Sequence, residues 1–226
     1  MSSIVVGSGV LAETVVGLLC AAGRRVSLVA PSGKVNALKF DSSVIKAILQ
    51  EDSEKKIPFE FIDDIRQQQK LADKNFKKIN VTTDISKIEA ADQIIDACSA
   101  DESSLFINTA KAVPNATIIS LNGEKSPIHS NHVSVKMYSP IHETKTAKMF
   151  TNSKVSKKTL EEVNQLLDSM GLTVLSEEDS RVADRLVLDM QQVEKSSSLS
   201  KLISTLVTPL NAPATPSMPK EQYLLF

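Results

Sequence analysis

The chain has 226 residues, of which 42% are hydrophobic, enough for one domain with a substantial core and a smaller appendage. A formal net charge of −1 excludes the overall basic field that nucleic-acid binding needs. The sequence also has no polybasic helix of the kind that binds a membrane surface. No apolar run reaches the roughly 18 to 20 residues of a membrane span. The first predicted strand begins at Ile4, which leaves no room for a signal peptide. We therefore expect an intracellular protein, cytoplasmic by default, with the mitochondrial matrix as the alternative.

The N-terminal thirty residues have the pattern of a strand, a turn, a helix and a second strand. Residues 4–6 are β-branched and predict a strand, and an apolar stretch over residues 13–22 predicts a helix. Gly23 follows as a helix-stop signal, and residues 26–30 predict the second strand. This arrangement is a βαβ unit, in which the two strands lie parallel.

The turn of this unit has the glycine spacing of a dinucleotide-binding turn. Gly7 permits the tight turn, Gly9 lets backbone N–H groups approach a pyrophosphate, and Ala12 is small enough for the helix to pack on the strand. The second strand should end in an acidic residue that bonds the ribose hydroxyls of NAD, but that place holds Ala30. We therefore expect NAD or NADP to bind weakly or not at all.

The rest of the chain alternates between helical and extended patterns. Residues 34–50 and 58–73 predict a helical hairpin, separated by a charged break over residues 51–56. A further amphipathic helix is predicted over residues 157–170. Short apolar runs predict further strands at residues 79–82, 93–98, 117–121, 133–138 and 172–175. The alternation predicts an α/β fold, a doubly wound Rossmann-type sheet that is mostly parallel.

Cysteine and histidine offer no independent chemistry. Cys20 and Cys98 stand in apolar settings, which indicates buried thiols in a reducing compartment. His129 and His132 are placed in a polar loop and at its end, with no third ligand nearby, so we expect no metal site. His142 follows a predicted turn, and the alternative to a surface role for it is a displaced catalytic base.

Several longer patterns occur in the order and near the spacings of a known family. They are GSGVLAETVVGLLCAAG, VTTDISKIEAADQIIDAC, KMYSPIHETKTAKMF and KTLEEVNQLLDSMGLTVLSEEDS. Through them, residues 1 to about 190 resemble the NAD-binding domain of the 3-hydroxyacyl-CoA dehydrogenases. The resemblance implies a Rossmann fold with the helical hairpin after the second strand.

The same resemblance implies that the family's catalytic residues are replaced. Lys136 stands where the family has its general-base histidine, and Lys148 where it has the glutamate that orients that histidine. Ser120 keeps the first serine of the family's Ser-Asn-Thr-Ser motif. Asp184 takes the place of an asparagine, and Ala100 that of a glutamate that touches the cofactor. We therefore expect no catalytic residue. The degenerate catalytic positions are Lys136, Lys148, Ser120 and Asp184, and Ala100 is a lost cofactor contact.

The primary interpretation is a non-catalytic domain that serves as a structural or binding subunit of a larger complex. The alternative is an active NAD(P)-dependent oxidoreductase on a 3-hydroxyacyl-type substrate, with Lys136 as the base. In that case Ala30, Ser32 and Lys34 leave room for the 2′-phosphate of NADP. A third reading is a sensor that binds a dinucleotide without turnover.

We expect three segments: a domain over residues 1–180, a helix over 181–206 and a tail over 207–226. The family continues into an all-helical second domain, of which only this helix is expected here. Closely spaced prolines over residues 209–219 predict an extended tail. The tail ends in an apolar run, Tyr223, Leu224, Leu225 and Phe226. We expect this run to dock on another protein subunit, with a disordered end as the alternative.

Overall fold

A computed structural model of the protein describes residues 2–56, 65–88, 90–121, 130–138 and 141–186. Its strands are β1 (Ser2–Val6), β2 (Arg25–Val29), β3 (Asn80–Thr82), β4 (Gln93–Asp96), β5 (Thr117–Ser120), β6 (His132–Met137), β7 (Thr146–Phe150) and β8 (Thr173–Val174). Its helices are α1 (Val10–Ala21), α2 (Ser32–Asp41), α3 (Ser43–Lys56), α4 (Ile65–Phe76), α5 (Ser103–Ala112), α6 (Ile141–Thr144) and α7 (Lys157–Ser169). Short 3-10 turns lie at Ile85–Lys87 and Ala100–Glu102, and residues 177–186 are also helical.

The strands form one sheet in the order β3-β2-β1-β4-β5-β6-β7-β8. Strands β1 to β6 pair in parallel, β7 runs antiparallel to β6, and β8 is parallel to β7. The predicted doubly wound, mostly parallel sheet is confirmed. Because β1 has both β2 and β4 as neighbours, the loops after β1 and β4 lie side by side at the carboxyl edge. This is the switch point where such sheets bind their ligands.

Two hydrophobic cores lie on opposite faces of the sheet. Successive residues of a strand point to opposite faces, so Val5 and Ile95 belong to one core while Ile4 and Ile94 belong to the other. The larger core includes residues of α1, α3 and α7, and the smaller one is packed by α5. Burial on both faces explains why the central strands are apolar along their length.

Helices α1 and α3 approach closely at a glycine. A Cβ atom added at Gly17 would lie 3.0 Å from Cδ1 and 3.2 Å from Cβ of Ile48. The missing side chain therefore lets α3 lie directly on α1, which fixes the helical hairpin beside the N-terminal βαβ unit.

The hairpin is divided differently from the prediction. The expected break at residues 51–56 is wrong, because α3 continues to Lys56. Charged residues such as Glu and Lys are good helix formers and do not end a helix by themselves. The chain breaks instead at Ser42, whose hydroxyl accepts the N–H of Ile45 over 3.2 Å. That contact is a serine N-cap of α3.

The chain divides into two compact units, Met1–Glu177 and Glu178–Phe226. The sheet and α1 to α7 belong to the first unit. The predicted C-terminal helix is helical over its described part, residues 181–186. Its remainder, and the predicted tail over 207–226, lie outside the described residues. None of the described helices is long and apolar enough to cross a membrane.

Candidate functional site

The turn between β1 and α1 can only be made with glycine at its first position. Gly7 has a φ of +138°, and a Cβ atom there would lie 2.5 Å from the carbonyl oxygen of Ala97, in the loop after β4. The Gly7 N–H donates to the carbonyl oxygen of Val29 over 2.9 Å. The turn therefore passes closely between the ends of β2 and β4, which a side chain would prevent.

The second glycine of the turn faces open space. Gly9 is the N-cap residue of α1, and no side chain of the described residues caps this helix end. A Cβ atom at Gly9 would meet no described atom within 4 Å, and the next residue, Val10, is 67% exposed. Uncapped N–H groups at the start of a helix favour an anion. This end of the site fits a pyrophosphate, and Ala12 is fully buried beneath it.

The ribose end of the site lacks the expected acid. Ala30 follows β2, is fully buried, and donates its N–H to the carbonyl oxygen of Thr82 over 3.1 Å. Pro31 and the exposed Ser32 then lead into α2. The side chain at the ribose position is a buried methyl group, which offers no hydrogen bond to a hydroxyl.

A buried carboxylate in the loop after β4 was not among the sequence-predicted site residues. Ala100 is exposed, whereas Glu102 is 6% exposed and accepts hydrogen bonds from the Ser8 hydroxyl and the Ser99 N–H. Burial raises the pKa of Glu102, but the hydrogen bonds from Ser8 and Ser99 outweigh it and hold this pKa below its usual value. The Ser-x-x-Glu spacing predicts the capping-box contact with Ser99. The contact with Ser8 depends on the fold.

Ser120 and His132 meet at the pairing of β5 with β6. The Ser120 hydroxyl oxygen lies 3.0 Å from Nε2 of His132, and both residues are 8% exposed. The polar loop at whose end the sequence places His132 gives way to β6 at this residue, and His132 is buried. The strand starts one residue earlier than its apolar run, because His132 pairs in register with Ile118.

Lys136 and Lys148 are brought together by the antiparallel pairing of β6 with β7. They lie directly opposite each other in register, so their side chains share one face of the sheet. Nζ of Lys136 lies 5.5 Å from the ring centroid of Tyr138, and Nζ of Lys148 lies 5.2 Å from that of Phe150. The positions that the family resemblance gives to the base and its carboxylate are therefore neighbours, and both are lysines.

The other predicted residues are described only in part. Asp184 lies in the helical stretch 177–186 and belongs to the second unit. Residues 122–129, with the last two positions of the Ser120 motif and His129, lie outside the described residues, while His142 belongs to α6. Within the described ranges, no group of three or more His, Cys, Asp or Glu is placed to hold a metal ion.

An apolar cavity of about 670 Å³ opens beside the glycine turn. Its volume falls within the range of small-molecule sites. Walls from α1, α3, α6 and the end of β6 line it with Val10, Leu11, Thr14, Ser43, Val44, Ala47, Ile48, Glu51, Met137 and Ile141. The cavity shares Val10 with the start of α1, so it adjoins the candidate pyrophosphate site.

Many solved structures have a similar fold, and three of them illustrate the likeness. FadB2 of Mycobacterium tuberculosis matches with a TM-score of 0.60 and 16% identity over 76% of this chain and 62% of that one. The (S)-3-hydroxybutyryl-CoA dehydrogenase of Ralstonia eutropha matches with a TM-score of 0.58 and 15% identity over 77% of this chain and 62% of that one. The 3-hydroxyacyl-CoA dehydrogenase of Archaeoglobus fulgidus matches with a TM-score of 0.53 and 17% identity over 93% of this chain and 73% of that one. At these identities the likeness shows the fold alone.

The chain spans 62% of the length of the first two of these proteins. No match to a curated protein was found. Residues 3–180 match the family model described as 3-hydroxyacyl-CoA dehydrogenase, NAD binding domain. That match takes in the whole sheet, the glycine turn and the Lys136–Lys148 pair, and by it the chain belongs to the family of 3-hydroxyacyl-CoA dehydrogenase NAD-binding domains.

Proposed function

We propose that this chain is a non-catalytic member of its family that serves as a binding or structural component of a larger assembly. The observation that carries the proposal is the pairing of Lys136 with Lys148. In the dehydrogenases that the chain resembles, the first position holds a histidine that takes the proton of the substrate hydroxyl. The second holds a glutamate that orients this histidine and stabilises its charged form.

The chemistry of a dehydrogenase needs a proton acceptor that is uncharged near pH 7 and held by an opposite charge. A carboxylate facing a histidine meets both needs. A lysine at the position opposite another lysine supplies neither the negative charge nor the orienting acceptor. The two lysines instead each have an aromatic ring beneath the charge, a favourable contact for a cation.

Steady-state reduction of acetoacetyl-CoA by NADH or NADPH tests the loss of chemistry, with the R. eutropha dehydrogenase as the positive control. We expect no turnover above the rate without protein. Turnover that is lost in Lys136→Ala and kept in Lys148→Ala would overturn the proposal. It would establish an oxidoreductase with a lysine base.

Weak dinucleotide binding is part of the same proposal. The buried methyl group of Ala30 leaves the ribose hydroxyls without an acceptor at this position. Such a loss costs about 1–3 kcal/mol, or about 5- to 150-fold in Kd. Calorimetric titration with NADH and with NADPH is expected to give dissociation constants above the micromolar range. Submicromolar binding of either one would contradict a decayed site and favour a sensor or an enzyme.

The proposed contact with the assembly is the proline-spaced arm over residues 208–226, which lies outside the described residues. Its apolar end, Tyr223 to Phe226, suits a groove on another subunit. Deleting residues 208–226 is expected to release the chain from its co-purifying partners without lowering its melting temperature. A deletion variant that unfolds would show that the arm packs on its own domain. A variant that stays in the complex would show that another surface makes the contact.

A further inference from the structure

The buried carboxylate of Glu102 joins the two loops that meet at the switch point of the sheet. One of its oxygens accepts the Ser8 hydroxyl hydrogen, within the glycine turn after β1. The other accepts the N–H of Ser99, in the loop after β4, over 3.0 Å. The backbone amide of Ser8 also stabilises the charged form. The carboxylate is thus held by donors from both sides of the β1–β4 pair.

This arrangement places a fixed negative charge beside the anion-binding end of α1. The helix begins two residues after Ser8, and the position of Gly9 is open. Glu102 is 6% exposed, so little water lies around it to screen its charge. The Ser8 hydroxyl has one hydrogen to donate, and it already donates it to Glu102.

We propose that Glu102 is an internal competitor for the anion site of the Gly7–Gly9 turn, which it weakens by repelling pyrophosphate groups and by occupying Ser8. The inference rests on the proposed function and deepens it. Ala30 explains weak binding at the ribose end, and Glu102 adds a separate cause at the pyrophosphate end. Glu102 acts through charge and through Ser8, so it is a positioning residue of the turn.

Titration of the full chain with inorganic pyrophosphate, followed by ³¹P NMR, tests this inference because the probe has no ribose and no base. Glu102→Gln removes the charge and keeps the shape, and we expect it to bind pyrophosphate about tenfold more tightly than the wild type. Asp101→Asn is the matched control. It removes the same charge one residue away, from an exposed side chain whose hydrogen-bond partner is the Ser99 side chain rather than Ser8. It is expected to change binding little.

Two results would overturn the inference. Weaker pyrophosphate binding in Glu102→Gln would show that the carboxylate supports the ligand. An equal gain in affinity in Glu102→Gln and Asp101→Asn would show that only the overall charge of the chain matters. If Glu102→Gln does not fold, Glu102→Ala decides, because it also removes the charge and frees the Ser8 hydroxyl. It should bind pyrophosphate more tightly than the wild type, whereas no gain or a loss refutes the competition. Turnover of acetoacetyl-CoA would overturn the proposed function and leave this result standing, because pyrophosphate binding does not involve hydride transfer.

Discussion

Replacing Gly7 by alanine is expected to destabilise the domain severely, for two local reasons. A φ of +138° lies in a backbone region that is nearly exclusive to glycine, and an alanine there costs about 1–3 kcal/mol. The added Cβ atom would also lie 2.5 Å from the oxygen and 2.8 Å from the carbon of the Ala97 carbonyl group. These are backbone atoms, so no side-chain rotation relieves the contact.

Relief requires the turn to move away from the loop after β4. Two hydrogen bonds of 2.9 Å depend on the present position, from Gly7 N–H to the Val29 carbonyl and from Ala97 N–H to the Val6 carbonyl. Each is worth about 0.5–1.5 kcal/mol net. The expected loss in the free energy of unfolding is therefore about 2–6 kcal/mol, a large fraction of the about 5–15 kcal/mol of a typical domain.

Urea unfolding followed by circular dichroism measures this loss, and Gly9→Ala is the matched control. A Cβ atom at Gly9 meets no described atom within 4 Å, and its φ of −91° suits alanine. The control should stay within about 1 kcal/mol of the wild type, the cost of a poorer N-cap. If Gly7→Ala also stays within about 1 kcal/mol, the approach to Ala97 does not constrain this position and the reasoning is refuted.

Three further predictions concern packing and titration. Gly17→Ala gains about 1 kcal/mol of helix propensity, but the added methyl group crowds Ile48 at a cost of about 1–3 kcal/mol. Urea unfolding should therefore show a lower free energy of unfolding, and a raised unfolding midpoint would contradict this. Because the pKa of Glu102 is lowered in the folded state, its stabilisation is present above its ordinary pKa of 4.5 and is lost as the pH falls through the folded value. The stability difference between the wild type and Glu102→Gln should narrow as the pH falls below 4.5, and a constant difference would refute this. Burial and nearby carboxylates raise the pKa of the Cys98 thiol, so this thiol should react slowly in the folded chain. In a Cys20→Ala variant, iodoacetamide should react far more slowly with the folded chain than with the unfolded one, and equal rates would show an accessible thiolate.

The elements that the sequence predicts well are those with local signals. The βαβ unit has a β-branched run, a glycine turn and a helix-stop glycine, and its strands fall within one residue or two of the prediction. Helix α5 and strand β7 were not predicted. Thr109 is the buried residue of α5, and the helix packs on the smaller core through half-buried side chains. Strand β7 carries lysine and threonine among its five residues and depends on pairing with β6. Both form because of contacts that the local pattern does not encode.

The candidate site divides in the same way. Gly7, Gly9 and Ala30 were assigned from spacing within thirty residues, and the structure places all three at the same edge of the sheet. The contact between Glu102 and Ser8 spans 94 residues of the chain, so only the adjacency of β1 and β4 brings it about. A sequence pattern gives the local capping box of Glu102 but not its partner in the glycine turn.

The two glycines of the turn therefore carry different information about function. Gly7 is required by the carbonyl of Ala97 whether or not a nucleotide binds, because the protein itself fills the space that a side chain would need. Gly9 has no such neighbour among the described atoms, so the protein gains nothing in packing from its missing side chain. The first glycine is required by the fold, and the second leaves open space where a ligand could approach the backbone. Dinucleotide affinity in Gly9→Ala, compared with the wild type, therefore measures what the open turn contributes to binding.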